Sequence, residues 1–318
     1  MTQGPSPRAQ ISRRAAELGF HAIGFARAAV PMAEDHARFT TYVREGKHGN
    51  MAYLESTASA RARVDSPDIL EGARTVISLA RRYQRSAEEE AGDPPLAQRI
   101  ARYARGQDYH NHLRKKLRSL AKFVRTLGPS VSARPLCDEE PILERAWARN
   151  AGLGFVGKNG MLIVPGQGSF VLLGEVVTTL ELEPGEPMSE RCGSCTRCLD
   201  ACPTNAFDAP FVLDPRRCIA YLTIEDPMSE GPDTGAHLFG CDDCQTVCPY
   251  NRAPLPDADS ARPFRPLSVW AHTTLEELTE MDDATFREKT VGSPLFRAGR
   301  AGLARSARRV LEHERGSS

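Results

Sequence analysis

The sequence predicts an α+β protein: a mixed helix and strand unit over residues 1–185, a compact cysteine-rich module over 186–255 and a short helical segment over 256–318. Three observations predict it. Strand-like apolar stretches are interspersed with amphipathic helical ones through the first unit. A break carrying Pro184, Gly185 and Pro187 follows. Eight of the nine cysteines then fall between Cys192 and Cys248, a density that core packing does not produce.

In chain order, residues 7–19 carry Ile11, Ala15 and Leu18 at helical spacing, and 21–26 read as a short buried strand. Residues 75–80 form a second strand candidate. Residues 109–127 make a basic amphipathic helix with Leu113, Leu117, Leu120 and Val124 facing inward. Residues 141–150 read as a helix with Pro141 in its first turn. Residues 170–180, rich in Val, Leu and Thr, are the clearest strand. These elements suggest an α/β or α+β arrangement, and α/β is the expectation for the first unit. The cysteine-rich module ends near Tyr250, residues 254–266 form a Pro/Asp linker, and helices follow from Leu275. No repeat of fixed period is present.

Lys and Arg number 41, as do Asp and Glu, so no global field draws the protein to nucleic acid or membrane, and any polyanion site must be local. No apolar run is long enough to span a bilayer. Ser12-Arg13-Arg14 resembles the start of a twin-arginine signal, but Glu17, His21 and Arg27 interrupt the apolar stretch such a signal needs. The cytoplasm is therefore expected, where a reducing medium favours metal ligation by cysteine over disulfides.

Cys192, Cys195, Cys198 and Cys202-Pro203 form the bacterial ferredoxin run: two-residue gaps set three thiolates around one iron–sulfur cube, and the fourth reaches the other cluster. Cys241, Cys244 and Cys248-Pro249 repeat the end of that run with one cysteine fewer, and Cys218 supplies the missing ligand. With the last cysteine of each group crossing over, one 4Fe-4S cluster takes Cys192, Cys195, Cys198 and Cys248. The other takes Cys202, Cys218, Cys241 and Cys244. Paired zinc sites also accept thiolates, but zinc ribbons show isolated cysteine pairs without a run of four ending in Cys-Pro.

Gly152, Gly154 and Gly157 satisfy the dinucleotide fingerprint, yet they follow a helix and run into the apolar stretch 161–164, the reverse of the required strand-to-helix context, so a structural turn is expected. Asp138 stands in Cys137-Asp138-Glu139-Glu140 between Pro135 and Pro141. A carboxyl group on a loop above a cofactor can hold and deliver a proton; by spacing alone, a helix cap or a solvated acidic loop accounts for it better.

Longer strings carry a resemblance. Tyr103-Ala104-Arg105-Gly106-Gln107-Asp108-Tyr109-His110, the segment from Asp138 to Glu144, and Ala151-Gly152-Leu153-Gly154-Phe155-Val156-Gly157-Lys158-Asn159 occur in order before the cysteine runs, with Arg217-Cys218-Ile219-Ala220-Tyr221-Leu222-Thr223 between them. Over nearly the whole chain, from about Ala9 to Leu311, the sequence resembles epoxyqueuosine reductases, cobalamin-dependent enzymes that complete queuosine in tRNA. The resemblance implies an oxidoreductase whose first unit binds cobalamin and is catalytic. It would reduce the epoxide of epoxyqueuosine at the wobble base to the cyclopentene of queuosine, with water as co-product. Electrons from an external low-potential donor would pass through the two clusters to form cob(I)alamin, the nucleophile, and Asp138 matches the proton donor. Corrin contacts would fall at Arg63, Ala101, Asp138, Leu162, Leu173, Ala220, Asp242 and Asp243. Ala220 stands where the family pattern has serine, which puts a side-chain contact there in doubt. The Asp-x-His-x-x-Gly signature of His-ligated cobalamin begins at Asp108-Tyr109-His110 but fails at Leu113, so no protein histidine need ligate cobalt.

The implied partner is the tRNA anticodon stem-loop, met by local basic surface: Arg114, Lys115, Lys116, Arg118, Lys122 and Arg125 on one helix, or Arg297, Arg300, Arg305, Arg308 and Arg309 near the end. Some relatives continue into helical repeats; ending at Ser318, this chain would keep little of that surface. A monomer is expected. Two other readings fit parts of the sequence. A corrinoid reductive dehalogenase shares the cluster and cobalamin plan, but its usual export signal is missing. A ferredoxin-type carrier needs no unit of 185 residues before its clusters.

Overall fold

The structure is a computed structural model and describes residues 4–252 and 259–316. The chain forms two compact units, Met1–Gly46, Ala52–Arg82 and His110–Cys195 in the first, and Lys47–Met51, Tyr83–Tyr109 and Thr196–Ser318 in the second.

The first unit is built on a four-stranded sheet of β1 (Ala22–Arg27), β2 (Thr75–Arg82), β3 (Ala133–Leu136) and β6 (Val171–Thr178), in the order β1-β2-β6-β3. Every pairing is antiparallel, so this unit is α+β where the sequence suggested α/β: among the described residues no helix crosses over between parallel strands. β2 is buried along its whole length, as a central strand covered on both faces must be. β3 contains Pro135 and lies at the sheet edge, where a missing N–H breaks no ladder bond. Helix α1 (Pro7–Glu17) starts at Ser6, whose side chain accepts the Ala9 N–H, with proline at the first turn. Helices α2 (Ala33–Arg44) and α3 (Ala52–Ser56) follow β1.

The two periodicities meet across the sheet. Helix α6 (Tyr109–Arg125) turns Leu113, Leu117, Leu120 and Val124 onto Ile77, Leu79 and Val176. The alternate positions Val76 and Val177 pack with Leu136 and with Trp147 of α7 (Glu144–Asn150). Truncating the fully buried Trp147 to alanine would cost about 3–5 kcal/mol. Helix α7 begins at Glu144, not at Pro141 as the sequence suggested. Asp138 takes a left-handed conformation, φ 54°, and Ile142 N–H bonds back to Glu140 O, so the chain turns twice before it can coil. Gly152 follows α7 with φ 73°, and Gly154 abuts the Ile163 carbonyl in the hairpin of β4 (Phe155–Val156) and β5 (Leu162–Ile163). A helix therefore precedes the glycine run and a hairpin follows it, the structural turn expected.

The second unit centres on Leu96, Ile100, Leu238, Phe239, Trp270, Leu278, Leu295, Leu303 and Val310. Its elements are α4 (Ala87–Ala91), α5 (Pro95–Gln98), α8 (Arg197–Asp200), the hairpin of β7 (Phe207–Ala209) and β8 (Val212–Leu213), α9 (Ile219–Ile224), α10 (Asp243–Thr246), α11 (Leu275–Glu280), α12 (Asp283–Thr290) and α13 (Gly299–Gly316). Segment 83–109 belongs here because Ile100 bridges Phe239, and segment 47–51 because Tyr221 Oη accepts the Asn50 N–H at 2.8 Å. Of the expected linker, residues 254–258 lie outside the described residues. Its second half is packed: a 3₁₀ turn spans Asp259–Phe264, the buried Phe264 lies 5.8 Å from the Tyr83 ring, and Gln107 N–H bonds Pro263 O at 3.0 Å.

Candidate active site and cluster-binding cysteines

In the first unit, β3 runs out into the loop that carries Asp138. Short-range acids stitch this loop: Glu140 Oε2 accepts the Cys137 N–H at 2.7 Å, and Glu144 Oε1 accepts the Asp138 N–H at 3.0 Å. Aspartate is among the few residues that tolerate a left-handed backbone, so the sequence can keep a carboxyl where glycine would be usual. The Asp138 carboxyl is 47% exposed and its Oδ2 lies 2.9 Å from Nε2 of His110 on α6. Below it, burial together with the Asp138 charge pushes Glu144 up to about 7. Glu175, at the middle of β6, lies opposite Leu136 and Ser78 and is fully buried, and burial together with the nearby Glu144 and Glu140 charges holds its carboxyl well above the usual range.

Lys158 belongs to the same unit. Its ammonium donates to Gly193 O at 2.6 Å and Cys195 O at 3.1 Å, tying down the loop that bears Cys192 and Cys195.

In the second unit, Cys202 closes the turn after α8, Cys218 caps α9, Cys241 precedes α10 and Cys244 lies on it. The thiols of Cys218, Cys241 and Cys244 are each raised, first by burial and then by neighbouring acid groups: Cys202 acts on Cys218, and Cys218 acts on both others. Cys202 and Cys198 also act on Cys244. Such a group stays protonated alone and needs a cationic centre to become thiolate. Backbone donors already point at the sulfurs. Ala206 N–H reaches Cys202 Sγ at 3.3 Å, Ala220 and Tyr221 donate to Cys218, and Asp243 N–H donates to Cys241. N–H···S bonds of this kind stabilise cluster thiolates, so the donor set fits an iron–sulfur cluster. Cys198, on α8, and the buried Cys248 are in this unit too. His237 Nε2 lies 3.9 Å from Cys241 Sγ and 3.1 Å from Asp243 Oδ2. With Cys241 assigned as a cluster ligand, His237 and Asp243 form its outer shell.

The expected corrin contacts divide between the units. In the first, Leu162 is buried in β5 and packs in one cluster with Leu173 of β6, while the exposed Arg63 pairs with Asp65 at 2.9 and 2.7 Å. In the second, Ala101 is buried, with its N–H on Phe239 O. Asp242 is buried against Arg102, whose N–H and guanidinium both reach its Oδ2. The Asp243 carboxylate is taken by His237, and the Ala220 N–H by Cys218. Within the first unit, the apolar surface of Leu162 and Leu173 and the exposed Arg63 guanidinium are of the chemistry that suits a large amide-rimmed ring.

Of the basic sets, Lys115, Arg118 and Lys122 are exposed on α6. The C-terminal arginines are largely engaged within the protein: Arg297 with Glu225, Arg300 with Asp283, Arg308 with Thr279 O, and both Arg305 and Arg309 with Ser229 O. Sequence reasoning missed Glu144, Glu175, Lys158 and His237 as site residues. It weighed His110 only as a cobalt ligand, although its place in the string ending Asp108-Tyr109-His110 was the available signal.

Residues 63–139 match the family described as epoxyqueuosine reductase QueG, and residues 191–251 match the 4Fe-4S double cluster binding domain. The chain is 41% identical to the epoxyqueuosine reductase of Gloeobacter violaceus, covering 95% of both chains. It is 40% identical to that of Xanthomonas campestris, covering 92% of this chain and 82% of the other. A crystal structure of epoxyqueuosine reductase with an epoxyqueuosine-modified tRNA-Tyr stem loop superposes with TM-score 0.81 at 29% identity, over 96% of this chain and 81% of that one. The Bacillus subtilis enzyme, solved with its catalytic aspartate loop swung out of the active site, superposes with TM-score 0.82 at 30% identity over the same shares.

Proposed function

This chain belongs to the epoxyqueuosine reductase family, and on that premise we propose how its residues carry out the reduction of epoxyqueuosine to queuosine in tRNA. The carrying observation is the presentation of Asp138: an exposed carboxyl on a left-handed loop, tied through its N–H to Glu144 and through Oδ2 to His110. It is the proton donor to the epoxide oxygen, and His110 orients it. Expelling an alkoxide without protonation would be slow, so a positioned acid is worth about 10²–10⁴ in rate.

Cobalamin, held by Arg63, Ala101, Leu162, Leu173, Ala220, Asp242 and Asp243 together with the Asp138 loop, supplies when bound a reduced nucleophilic metal centre. Cys192, Cys195, Cys198 and Cys248 would hold one 4Fe-4S cluster and Cys202, Cys218, Cys241 and Cys244 the other, which would supply single-electron transfer from an external low-potential donor. Arg63 is exposed and offers its side chain. The tRNA anticodon stem-loop is the substrate, and Lys115, Arg118 and Lys122 offer exposed cations for its phosphates. The enzyme works as a cytoplasmic monomer; among the described residues no helix is long and apolar enough to cross a membrane.

The test is an anaerobic assay of reconstituted protein on an anticodon stem-loop carrying epoxyqueuosine. Wild type yields queuosine and Asp138→Asn loses about 10²–10⁴ in rate. A fully active Asp138→Asn variant removes the donor role, and an inactive, fully loaded wild type removes the activity.

A further inference from the structure

The reaction consumes more protons than one carboxyl carries. When an epoxide becomes an alkene, both C–O bonds break, a C=C bond forms, and the oxygen leaves as water. This takes up two electrons, which the external donor supplies, and two protons. Asp138 holds one. The other must reach the same oxygen.

We propose that Glu144 stores this second proton and returns it to Asp138, with Glu175 as the neutral carboxyl behind it. The inference rests on the assignment of Asp138 as donor. Three observations carry it. Glu144 is fixed to the Asp138 backbone at 3.0 Å. Neither carboxylate oxygen of Glu175 is exposed or meets a hydrogen-bond donor, an arrangement that an ionised group does not tolerate. Finally, the groups acting on this pair are mostly acids. Asp138 and Glu140 face Glu144, Glu144 and Glu140 face Glu175, and Cys137 lies among all four.

The cations present do not neutralise it. Arg145 acts on Glu144 but donates to Gly160 O. Arg61 also senses Glu144, but its guanidinium is occupied by Ile142 O at 2.9 Å and Thr57 Oγ1 at 3.2 Å and lies over the Phe39 ring. Acids crowded in this way cannot all ionise together, so a proton is retained near neutral pH. Glu144 acts through Asp138 and is a positioning residue, not one that touches the substrate.

Glu144→Gln separates storage from architecture, because the amide oxygen still accepts the Asp138 N–H but carries no proton. Two measurements on the cluster-loaded full chain decide the matter. Infrared difference titration of wild type should show a protonated carboxyl that ionises near pH 7 and is lost in Glu144→Gln, and a second that persists to higher pH and is lost in Glu175→Gln. Single-turnover reduction of the stem-loop by Glu144→Gln should slow at least about tenfold, bind the stem-loop as wild type does, and lose the rate dependence around pH 7. Wild type without a carboxyl titrating near neutrality overturns the proposal, whatever the variants do. So does a Glu144→Gln protein with the wild-type rate and pH profile. Failure of the donor reading itself is seen separately, as full activity of Asp138→Asn with both infrared bands in place.

Discussion

At the scale of single residues, the backbone at Asp138 dictates which substitutions are informative. Asparagine tolerates the left-handed region nearly as well as aspartate, so Asp138→Asn reports on the proton alone, whereas Asp138→Ala adds roughly 1–2 kcal/mol of local backbone cost. Thermal melts of the two variants should differ in that order while both lose activity. Glu144 gives a pH signature with a definite sign. Its carboxyl moves from an ordinary value of 4.5 up to about 7 in the fold. Between these pH values the folded protein holds more protons than the unfolded chain, so this group's contribution is complete at acid pH and is lost as pH rises to 7 and beyond. Denaturant midpoints measured from pH 5 to 8 should fall less in Glu144→Gln than in wild type; a steeper fall in the variant would contradict the buried-acid cluster. Asp138 was visible in the sequence only through its neighbours in the string from Asp138 to Glu144, because a lone acid between prolines has no period and no spacing to mark it. Glu175 was invisible: in a strand of Val, Leu and Thr, one acid reads as an outward-facing position, and only the register against Leu136 and Ser78 puts it inside.

At the scale of elements, the long periodic segments were legible and the short ones were not. α6 and β6 announce themselves because their side chains repeat with the pitch of a helix or the pleat of a strand over many residues. β3 has four residues and a proline, and it is a strand only because β6 offers it an edge. Close approaches between elements were equally hidden. Gly24 of β1 packs on the Ala151 backbone at the end of α7, and Phe25 N–H bonds the same Ala151 carbonyl at 3.2 Å. A Cβ at Gly24 would collide with that oxygen, so Gly24→Ala should destabilise by about 1–3 kcal/mol, read as a lower denaturation midpoint at unchanged m value. In the second unit, His237 Nε2 lies 3.9 Å from Sγ of Cys241, a proposed cluster ligand, and 3.1 Å from Asp243 Oδ2. Hydrogen bonds to sulfur raise cluster potentials, so His237→Ala should lower the midpoint potential of one cluster in a redox titration monitored by electron paramagnetic resonance and leave the other in place.

At the scale of the whole molecule, the cysteine runs specify metal content and the rest of the chain specifies what the electrons are for. Anaerobically prepared protein should contain about eight irons per chain, and Cys218→Ala, which removes one ligand from one set, should retain about four. Zinc in place of iron would overturn the cluster assignment. A cobalamin titration followed by absorbance should show stoichiometric binding, which a simple carrier would lack. The two compact units themselves could not be read from sequence, because hydropathy reports which residues are buried and not which distant segment buries them. Segment 83–109 has Leu96, Ala97 and Ile100 in the core of the second unit, yet most of that core is encoded after Thr196. During synthesis this segment leaves the ribosome on the order of ten seconds before its partners exist. In that interval its apolar face has nothing to cover it, and the nascent polypeptide would present a sticky patch to chaperones until translation is almost finished.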